Sequence, residues 1–172
     1  TSSEKEVLEQ RLRMVLDTVP DLIWLKDTQG IYLACNRAFE RLYGAKESDI
    51  LGKSDYDFVD TATADFFRAN DFIAMEANGA VSNEEELLFK ENGYKGLFET
   101  IKTPMYDVHG GIIGVLGIAR DITARRNNEA KIEQLQYFDT LTSLPNKIQL
   151  HMRLEHDLKM MEKKNEQLAV LF

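Results

Sequence analysis

The sequence has almost no cysteine: Cys35 is the single one among 172 residues. A lone thiol cannot close an internal disulfide, and cysteine-based zinc sites need two or more thiolates. Disulfide-stabilised scaffolds and cysteine zinc modules are therefore excluded, and a reducing compartment is expected. A chain of this length buries enough surface to form its own hydrophobic core without such covalent support.

A long hydrophobic run is also missing. The longest strongly apolar stretch, residues 112–119, is far shorter than the roughly 20 residues that span a bilayer. The chain begins without methionine and without the charged and apolar segments of a secretory signal, and it stops directly after an apolar run. We therefore expect an excerpt of a longer cytoplasmic protein, with no direct membrane contact in this segment and any membrane anchor elsewhere.

Basic residues are in the minority. The sequence has 21 Lys and Arg against 29 Asp and Glu, which gives a net charge of −8. Nucleic acids and anionic membranes are bound by basic surfaces. Neither is therefore an expected partner of this chain.

Residues suited to catalysis or metal binding are scarce. His109 lies beside glycines in a turn, and His151 and His156 are five residues apart on a predicted helix, so they do not share one face. All three are expected in solvent. The acidic run at residues 84–86 is interpreted as a solvated strand start with one glutamate turned inward. A glycine-rich phosphate loop that opens a helix is absent from the sequence. We predict no catalytic and no metal site.

The spacing of apolar residues alternates between helix and strand patterns. Residues 1–19 carry leucine and valine at helical spacing and predict an amphipathic helix. Short apolar stretches separated by turn residues predict two strands within residues 21–36 and three within residues 82–123. The intervening residues 37–78 predict short helices. The fold class is therefore α+β, with a five-stranded antiparallel sheet.

The C-terminal part follows a different pattern. Residues 124–138 are good helix formers with a thin apolar stripe, which is typical of a connecting helix that pairs with another helix. A second amphipathic helix is predicted after Pro145, and residues 168–172 predict a buried strand. The predicted organisation is an N-terminal helix (1–19), a main domain (20–123), a linker helix (124–138) and the truncated start of another domain (139–172).

Four short motifs occur in order along this pattern of elements. They are Asp27-Thr28-Gln29-Gly30 with Asn36, Gly52-Lys53-Ser54-Asp55, Lys102-Thr103-Pro104-Met105-Tyr106-Asp107 with Gly110, and Gly114 through Asp121-Ile122-Thr123. With them, residues 12–123 resemble the PAS domain family. The resemblance implies the PAS fold, a five-stranded antiparallel sheet with helices on one face, flanked by an N-terminal helix and a C-terminal signalling helix.

The resemblance also implies a small-molecule cavity between the concave sheet face and the helices. The inward-facing sheet residues expected there are Trp24, Tyr32, Ala34, Asn36, Leu88, Phe98, Thr100, Val115, Gly117 and Ala119. The expected helix residues are Phe39, Phe58, Phe67 and Phe72, with Arg68 and Asn70 as polar contacts. Gly117 and Ala119 are expected to leave empty volume over the middle of the sheet. The alternative, that the aromatic side chains simply fill the core, stays open.

The cofactor is restricted by the resemblance but not identified. Haem-binding relatives usually carry a histidine on the last intervening helix, and residues 61–79 contain none, so haem is not expected. Photoreactive flavin relatives carry a cysteine in a helix motif, whereas Cys35 ends the second predicted strand. Non-covalent flavin, a fatty acid, a small carboxylate or no ligand at all are the remaining possibilities.

A second resemblance covers residues 138–172. The segment Asp139-Thr140-Leu141-Thr142-Ser143-Leu144-Pro145-Asn146-Lys147, the helix after it and residues 168–172 resemble the opening of a GGDEF domain, the diguanylate cyclase module. Ser143 stands where glycine is typical, and Lys147 where arginine is typical. The resemblance implies that the residues for GTP and Mg²⁺ lie downstream, so this segment is expected to have no cyclase activity.

Together the two resemblances predict a sensory domain that controls a C-terminal GGDEF output, alone or followed by a phosphodiesterase domain. We expect a small ligand, a homodimer formed through the N-terminal and linker helices, or both. Signal transfer is expected through Asp121, Ile122 and Thr123. Two alternatives stay open: a ligand-free PAS dimerisation module, and a PAS sensor of another output such as a histidine kinase. Residues 124–150 contain none of the histidines that such a kinase would carry there.

Overall fold

A five-stranded antiparallel sheet forms the centre of the first unit of the chain, Thr1–Thr123. The structure is a computed structural model and describes residues 1–171. The strands are β1 (Leu22–Asp27), β2 (Tyr32–Cys35), β3 (Val81–Leu88), β4 (Lys95–Tyr106) and β5 (Ile112–Asp121). They are arranged in the order β2-β1-β5-β4-β3, which confirms the predicted sheet and α+β class.

The helices between β2 and β3 cover one face of this sheet. They are α2 (Arg37–Tyr43), α3 (Glu47–Ile50), a 3₁₀ turn (Asp55–Asp57) and α4 (Thr61–Ala77). Asn36 and Asp60 cap the first turns of α2 and α4, because each side chain accepts a hydrogen bond from a backbone N–H group of that turn. Gly44 ends α2 in the left-handed conformation that glycine adopts most easily.

The N-terminal helix α1 (Ser2–Thr18) is joined to the rest of its unit by hydrogen bonds of Arg13, Leu16 and Asp17, in its C-terminal half. Arg13 donates a hydrogen bond to the Cys35 carbonyl and pairs with Glu47 at 2.5 Å. Leu8, Leu12 and Val15 are 68%, 59% and 62% exposed. The apolar stripe predicted for this helix therefore exists, and its own unit does not bury it.

A β-bulge changes the predicted inward face of β2. Between Leu25 and Lys26 the pairing with β2 shifts by one residue, so Lys26 lies opposite Tyr32 while Leu25 lies opposite Ala34. Tyr32 is buried with Lys26 as expected, but Ala34 shares the outer face with Leu25. Cys35 takes the inward position instead. The prediction that Ala34 lines the cavity is wrong.

The empty volume predicted above Gly117 is filled by the indole of Trp24. The two residues lie opposite each other on β1 and β5, and a Cβ atom at position 117 would collide with the indole ring. Glycine is therefore required here by the close approach of a side chain. Trp24 also packs against Phe39, with ring centroids 5.2 Å apart, so this part of the concave face is solid core.

Two other residues expected inside are at the surface. On β3 the buried phase contains Glu85 and Leu87, which leaves Leu88 61% exposed on the other face. One residue is enough to reverse the face, because side chains alternate along a strand. Phe72 is 51% exposed on α4 and lies under the Arg68 guanidinium, outside the sheet-facing side of the helix. The predictions for Leu88 and Phe72 as inward walls are therefore wrong.

The second unit begins at Ala124 and contains most of α5 (Thr123–Tyr137) and all of α6 (Lys147–Lys164). Between the helices, the Asp139 carboxylate accepts hydrogen bonds from Leu141 and Thr142, which lowers its pKa. Residues 168–171 form no strand and are exposed, which contradicts the predicted buried strand, because no other strand pairs with them in the described part of the chain. Phe172, its last residue, lies outside the described residues.

Replacing Gly117 with alanine tests the contact between the sheet and the indole. Because the added methyl group displaces a packed tryptophan, we expect the free energy of unfolding to fall by about 1 to 3 kcal/mol. Gly79→Ala is the matched control, since its new Cβ would meet only the Ala77 carbonyl oxygen at an ordinary 3.9 Å. Urea unfolding of both variants gives the measurement. Equal stabilities would show that Trp24 is not held against position 117.

Candidate ligand-binding site

Two lysines lie buried on the concave face of the sheet. Lys26 on β1 follows Leu22 and Trp24 in the inward phase of its strand, and Lys102 on β4 follows Phe98 and Thr100. Both are 2% exposed. A buried ammonium group is unfavourable unless an anion and hydrogen bonds compensate for the lost water. The neighbouring residues therefore have to supply negative charge.

Asp71 of α4 supplies it to both lysines at once. One carboxylate oxygen accepts a hydrogen bond from Lys102 Nζ at 2.7 Å, and the other accepts from Lys26 Nζ at 3.0 Å. Arg68, one turn earlier on the same helix, donates to the second oxygen at 3.1 Å. Asp71 is itself completely buried. Its carboxylate thus joins β1, β4 and α4 through charge.

Burial and charge act in opposite directions on these groups. Burial opposes ionisation of Asp71, but the charges and hydrogen bonds of Lys26 and Lys102 outweigh it and lower the pKa of the carboxyl group. Burial lowers the pKa of Lys102, and the nearby charge of Lys26 adds to this, while Asp71 and Glu85 oppose it. The ion pairs are therefore maintained against a desolvation cost.

Two phenols and a second aspartate continue the cluster. Asp55 accepts a hydrogen bond from Lys26 at 2.6 Å and from the hydroxyl groups of Tyr32 and Tyr43. The two hydroxyl oxygens lie 2.8 Å apart. Burial, together with the negative charge of Asp55, raises the pKa of both tyrosines. The phenols consequently stay protonated and act as neutral hydrogen-bond donors.

A small cavity lies among these groups and the aromatic core. Its volume is about 20 Å³, which is room for one or two water molecules. A flavin or a haem is many times larger and does not fit in this conformation. The cavity is lined by Trp24, Lys26, Tyr32, Phe39, Leu42, Tyr43, Asp55, Phe67, Glu85, Leu87 and Lys102.

A larger groove lies beside the cavity, between the helices and β3. Its volume is about 390 Å³. Phe58 stacks on the Tyr43 ring at a centroid distance of 4.6 Å, and Lys90 donates a hydrogen bond to the Phe58 carbonyl at the rim. The groove is lined by Leu42, Tyr43, Phe58, Val59, Asp60, Thr63, Phe67, Glu86, Leu87, Leu88 and Lys90.

Eleven of the predicted ligand residues fall into three groups in the structure. Four line the cavity, namely Trp24, Tyr32, Phe39 and Phe67. Phe58 and Leu88 line the groove instead, and Phe67 lines both spaces. Five belong to the buried inner sheet face outside the cavity wall, namely Phe98, Thr100, Val115, Gly117 and Ala119. A role in ligand binding stays a prediction for all of them.

Asn36 and Arg68 have structural partners that explain their positions. The Asn36 amide uses all its hydrogen-bonding capacity: it accepts from Ile23 and Phe39 and donates to the carbonyls of Leu16 and Asp21. It therefore holds α1, β1 and α2 together and is not available to a ligand.

Arg68 contacts the β1–β2 turn through the Thr28 carbonyl, in addition to its pair with Asp71. It lies outside the cavity wall. Asn70, the other expected polar contact, donates to the Phe66 carbonyl within its own helix. Asp71 of α4 thus points at the sheet. Arg68 and Asn70, the two polar residues predicted on this helix, bond to the helix itself and to the β1–β2 turn.

Most of the charged cluster is not predicted from the sequence. Asp55, Asp71, Lys102 and Tyr43 were not predicted as site residues, although Asp55 and Lys102 lie in the quoted motifs. A signal was present for Lys26, which shares the inward phase with Trp24, and for Lys102, which shares it with Thr100. A charged residue in a buried strand phase indicates a partner from another element, but the pattern does not say which.

The end of β5 carries a second group of hydrogen bonds, at the start of α5. Asp121 accepts from the Thr123 backbone N–H at 2.9 Å and from the Tyr94 hydroxyl at 2.5 Å. Thr123 in turn accepts from the Leu97 N–H of β4 at 2.9 Å, and Ile122 is buried. Although burial opposes it, the hydrogen bonds from Tyr94 and Thr123 lower the pKa of Asp121.

Other kinds of site have little support in the structure. Burial raises the pKa of the Cys35 thiol to about 12, so it is not a reactive nucleophile. Residues 1–171 contain no cluster of three or more His, Cys, Asp or Glu side chains that could hold a metal ion. Over the same range, no helix has the length and apolar character needed to cross a bilayer.

Comparison with known proteins assigns the chain to a family. The family model described as PAS fold matches residues 16–127, which contain the whole sheet, the helices over it and the charged cluster. The chain belongs to the PAS fold family. A crystal structure of a PAS domain from Colwellia psychrerythraea has a TM-score of 0.57 and 30% identity, and the match covers 69% of this chain and 99% of that one.

Two curated relatives carry different outputs. A diguanylate cyclase of Vibrio cholerae serotype O1 is 30% identical over 138 residues, which cover 80% of this chain and 43% of the cyclase. The methanogenesis regulatory histidine kinase FilI of Methanothrix harundinacea is 33% identical over 128 residues, which cover 74% of this chain and 14% of the kinase. The chain therefore spans less than half the length of these relatives.

Replacing Asp71 with asparagine tests the role of the carboxylate. The change leaves Lys26 and Lys102 buried with one fewer negative charge, so we expect the free energy of unfolding to fall by about 3 to 5 kcal/mol at pH 7. Asp65→Asn on the exposed side of the same helix is the control and should change stability by less than about 0.5 kcal/mol. Thermal or urea unfolding followed by circular dichroism measures both.

The pH dependence of this difference has a definite sign. Because the folded state lowers the pKa of Asp71 below its ordinary 3.8, the carboxylate's stabilising contribution is fully present above that value. It is lost as pH falls through the lower folded value. The gap between wild type and Asp71→Asn should therefore be constant near neutrality and shrink in strong acid. A gap that widened in acid would contradict an ionised Asp71.

Proposed function

We propose that this chain is the sensory part of a cyclic-di-GMP signalling protein, in which the PAS domain controls a C-terminal GGDEF output. The observation that carries the proposal is the junction of β5 with α5. The same strand β4 supplies Lys102 to the charged cluster and Leu97 to the junction residue Thr123. A change at the cavity therefore has a direct covalent and hydrogen-bonded route to the helix that leaves the domain.

The choice of output is supported by relatives and by sequence. The 138 residues aligned with the Vibrio cholerae diguanylate cyclase exceed the 112 residues of the family match at 16–127, so the likeness includes flanking segments. The resemblance of residues 138–172 to the opening of a GGDEF domain supports the same output. Synthesis is the proposed activity of the whole protein, with hydrolysis added where a phosphodiesterase domain follows.

A histidine kinase output is the second candidate, because FilI is similar to this chain over 128 residues. Such an output needs a phosphate-accepting histidine on the helix that follows the PAS domain. Residues 124–150 contain no histidine. The cyclic-di-GMP output is therefore favoured over the kinase.

Homodimerisation through α1 and the linker helix is part of the proposal. Leu8, Leu12 and Val15 are exposed on α1, and Ile132 and Leu135 are exposed on α5. A diguanylate cyclase joins two GTP molecules, so two GGDEF domains have to meet, and a dimer of the sensory parts would arrange them. Apolar stripes on both flanking helices suit such a contact.

The double variant Leu8→Glu with Leu12→Glu tests the dimer. Each apolar side chain buried in a contact contributes roughly 1.5 to 3 kcal/mol, so two carboxylates there should shift the protein to monomer. Ser3→Glu with Gln10→Glu adds the same charge on the opposite side of α1 and serves as control. Sedimentation velocity gives the measurement. If both variants sediment like the wild type, α1 is not the dimer contact.

Asp121→Ala in the full-length protein tests the proposed function. The change removes the hydrogen bonds to Tyr94 and Thr123, which typically costs about 0.5 to 2 kcal/mol and leaves the domain folded. We expect cyclic-di-GMP output to lose its response to the stimulus, measured by chromatography of the product. Asp107→Ala is the control, since Asp107 also accepts backbone hydrogen bonds, from His109 and Gly111, but at the opposite end of β5. A normal response in Asp121→Ala, or a protein that makes no cyclic-di-GMP, would refute the proposal.

A further inference from the structure

The cavity and the groove share part of their walls. Four residues line both spaces, namely Leu42, Tyr43, Phe67 and Leu87. Leu42, Tyr43 and Leu87 are buried, whereas Phe67 is half-buried and has the most room to change rotamer. Rotation of one or two of them would join the cavity to the groove, whose volume of about 390 Å³ is in the range of known ligand sites.

The inner end of the joined space carries two ammonium groups, each with a hydrogen-bond donor for which the described residues supply no acceptor. Lys26 Nζ donates to Asp55 and Asp71, and Lys102 Nζ donates to the Phe67 carbonyl and Asp71. An ammonium group has three donors, so each lysine retains one. Both lysines line the cavity. Two lysines with one remaining donor each therefore line the same small volume.

Glu85 is the carboxylate in the cavity wall with the weakest attachment. Asp55 accepts hydrogen bonds from a lysine and two tyrosines, whereas the described contact of Glu85 is a single hydrogen bond from Thr100 at 2.8 Å. Glu85 is half-buried on β3, which is an edge strand. It can turn toward solvent without breaking an ion pair of the cluster.

The charge balance gives Glu85 a specific role. The cluster contains three cations, Lys26, Lys102 and Arg68, and two anions, Asp55 and Asp71, and all of them except the partly exposed Arg68 are buried. Glu85 at the cavity wall brings the number of anions to three, and its negative charge acts on Lys102 by raising the pKa of that lysine. A further anion brought beside the lysines would therefore compete with Glu85. The departure of Glu85 would then restore neutrality.

We propose that the joined cavity and groove bind a small organic carboxylate with an apolar or aromatic tail. Its carboxylate accepts hydrogen bonds from Lys26 and Lys102 on their cavity side, leaves Asp71 in place and displaces Glu85. Its tail lies in the groove against Phe58 and Phe67. This ligand class specifies what the proposed sensory domain binds, and it rests on that proposed function. Release of Glu85 loosens the edge strand β3 from Thr100 of β4, the strand that leads to the α5 junction.

Asn83 adds an independent observation in favour of an oxygen-rich ligand. It lies two residues before Glu85 on the same face of β3, opposite Thr100. Its side-chain nitrogen is buried and has no acceptor among the described residues. Buried amide donors are normally paired. A ligand oxygen at the position left by Glu85, or a water that the ligand brings, would supply the missing acceptor.

The test compares acids with their uncharged amides on the 172-residue chain. Isothermal titration calorimetry is run with acetate, hexanoate and phenylacetate, each paired with its amide of nearly the same shape. At least one acid with a tail should bind about tenfold or more tightly than its amide, because a hydrogen bond to a charged group contributes that much. Acetate should bind weakly, since it has no tail to fill the groove.

Three variants locate the binding. Glu85→Gln removes the competing charge and should tighten acid binding about tenfold, whereas Lys102→Met should abolish it. Glu84→Gln, at the exposed residue just before Glu85, is the matched control and should leave the affinity unchanged, because Glu84 lines neither the cavity nor the groove. Circular dichroism melting verifies that each variant is folded. Should Lys102→Met not fold, Glu85→Gln and the acid and amide pairs still decide the question.

Equal binding of acids and amides, no binding by any acid, or weaker binding in Glu85→Gln would overturn this ligand class. The proposed function is tested separately by Asp121→Ala in the full-length protein. An output that depends on Asp121, together with acids that bind no better than amides, would show that only the ligand class is wrong.

Discussion

The shared carboxylate of Asp71 is the interaction on which the arrangement over the sheet depends. Lys26 and Lys102 come from β1 and β4, which are separated by β5, so no local contact brings them together. Two buried cations near each other are unfavourable, and only an anion between them makes the arrangement stable. This requirement fixes the position of α4, which delivers Asp71, and with it the walls of the cavity.

The same strand that carries Lys102 also connects the site with the exit helix. Leu97 and Lys102 lie five residues apart on β4, which corresponds to about 17 Å of extended strand. Leu97 donates to Thr123, where α5 begins. A packed sheet has little compressibility, so a displacement at one end of β4 is carried to the other. The cavity and the junction with α5 are thus connected by one strand, β4.

Local pattern predicted the sheet well and the site only in part. Trp24 faces inward because a strand has a period of two residues, which the sequence shows directly. Ala34 faces outward because of a bulge, and nothing in the residues around it marks that irregularity. Leu88 follows Leu87, and two adjacent leucines leave the phase of a strand undecided. Asp71 finds its lysines only in three dimensions, across about 30 to 45 residues of chain.

The stability cost of burying the charged cluster indicates that the cluster has a role other than folding. Replacing a buried ion network with well-packed apolar residues is often neutral or stabilising, so a domain that only had to fold would not need one. The adjoining core already shows the apolar solution, in which the indole of Trp24 fills the space above Gly117 without a void. Beside it, two lysines keep one donor each among the described residues, and the cavity that they line shares Tyr43 and Phe67 with the wall of a groove. Charge that is balanced but incompletely hydrogen-bonded responds to one added anion more strongly than an apolar core can.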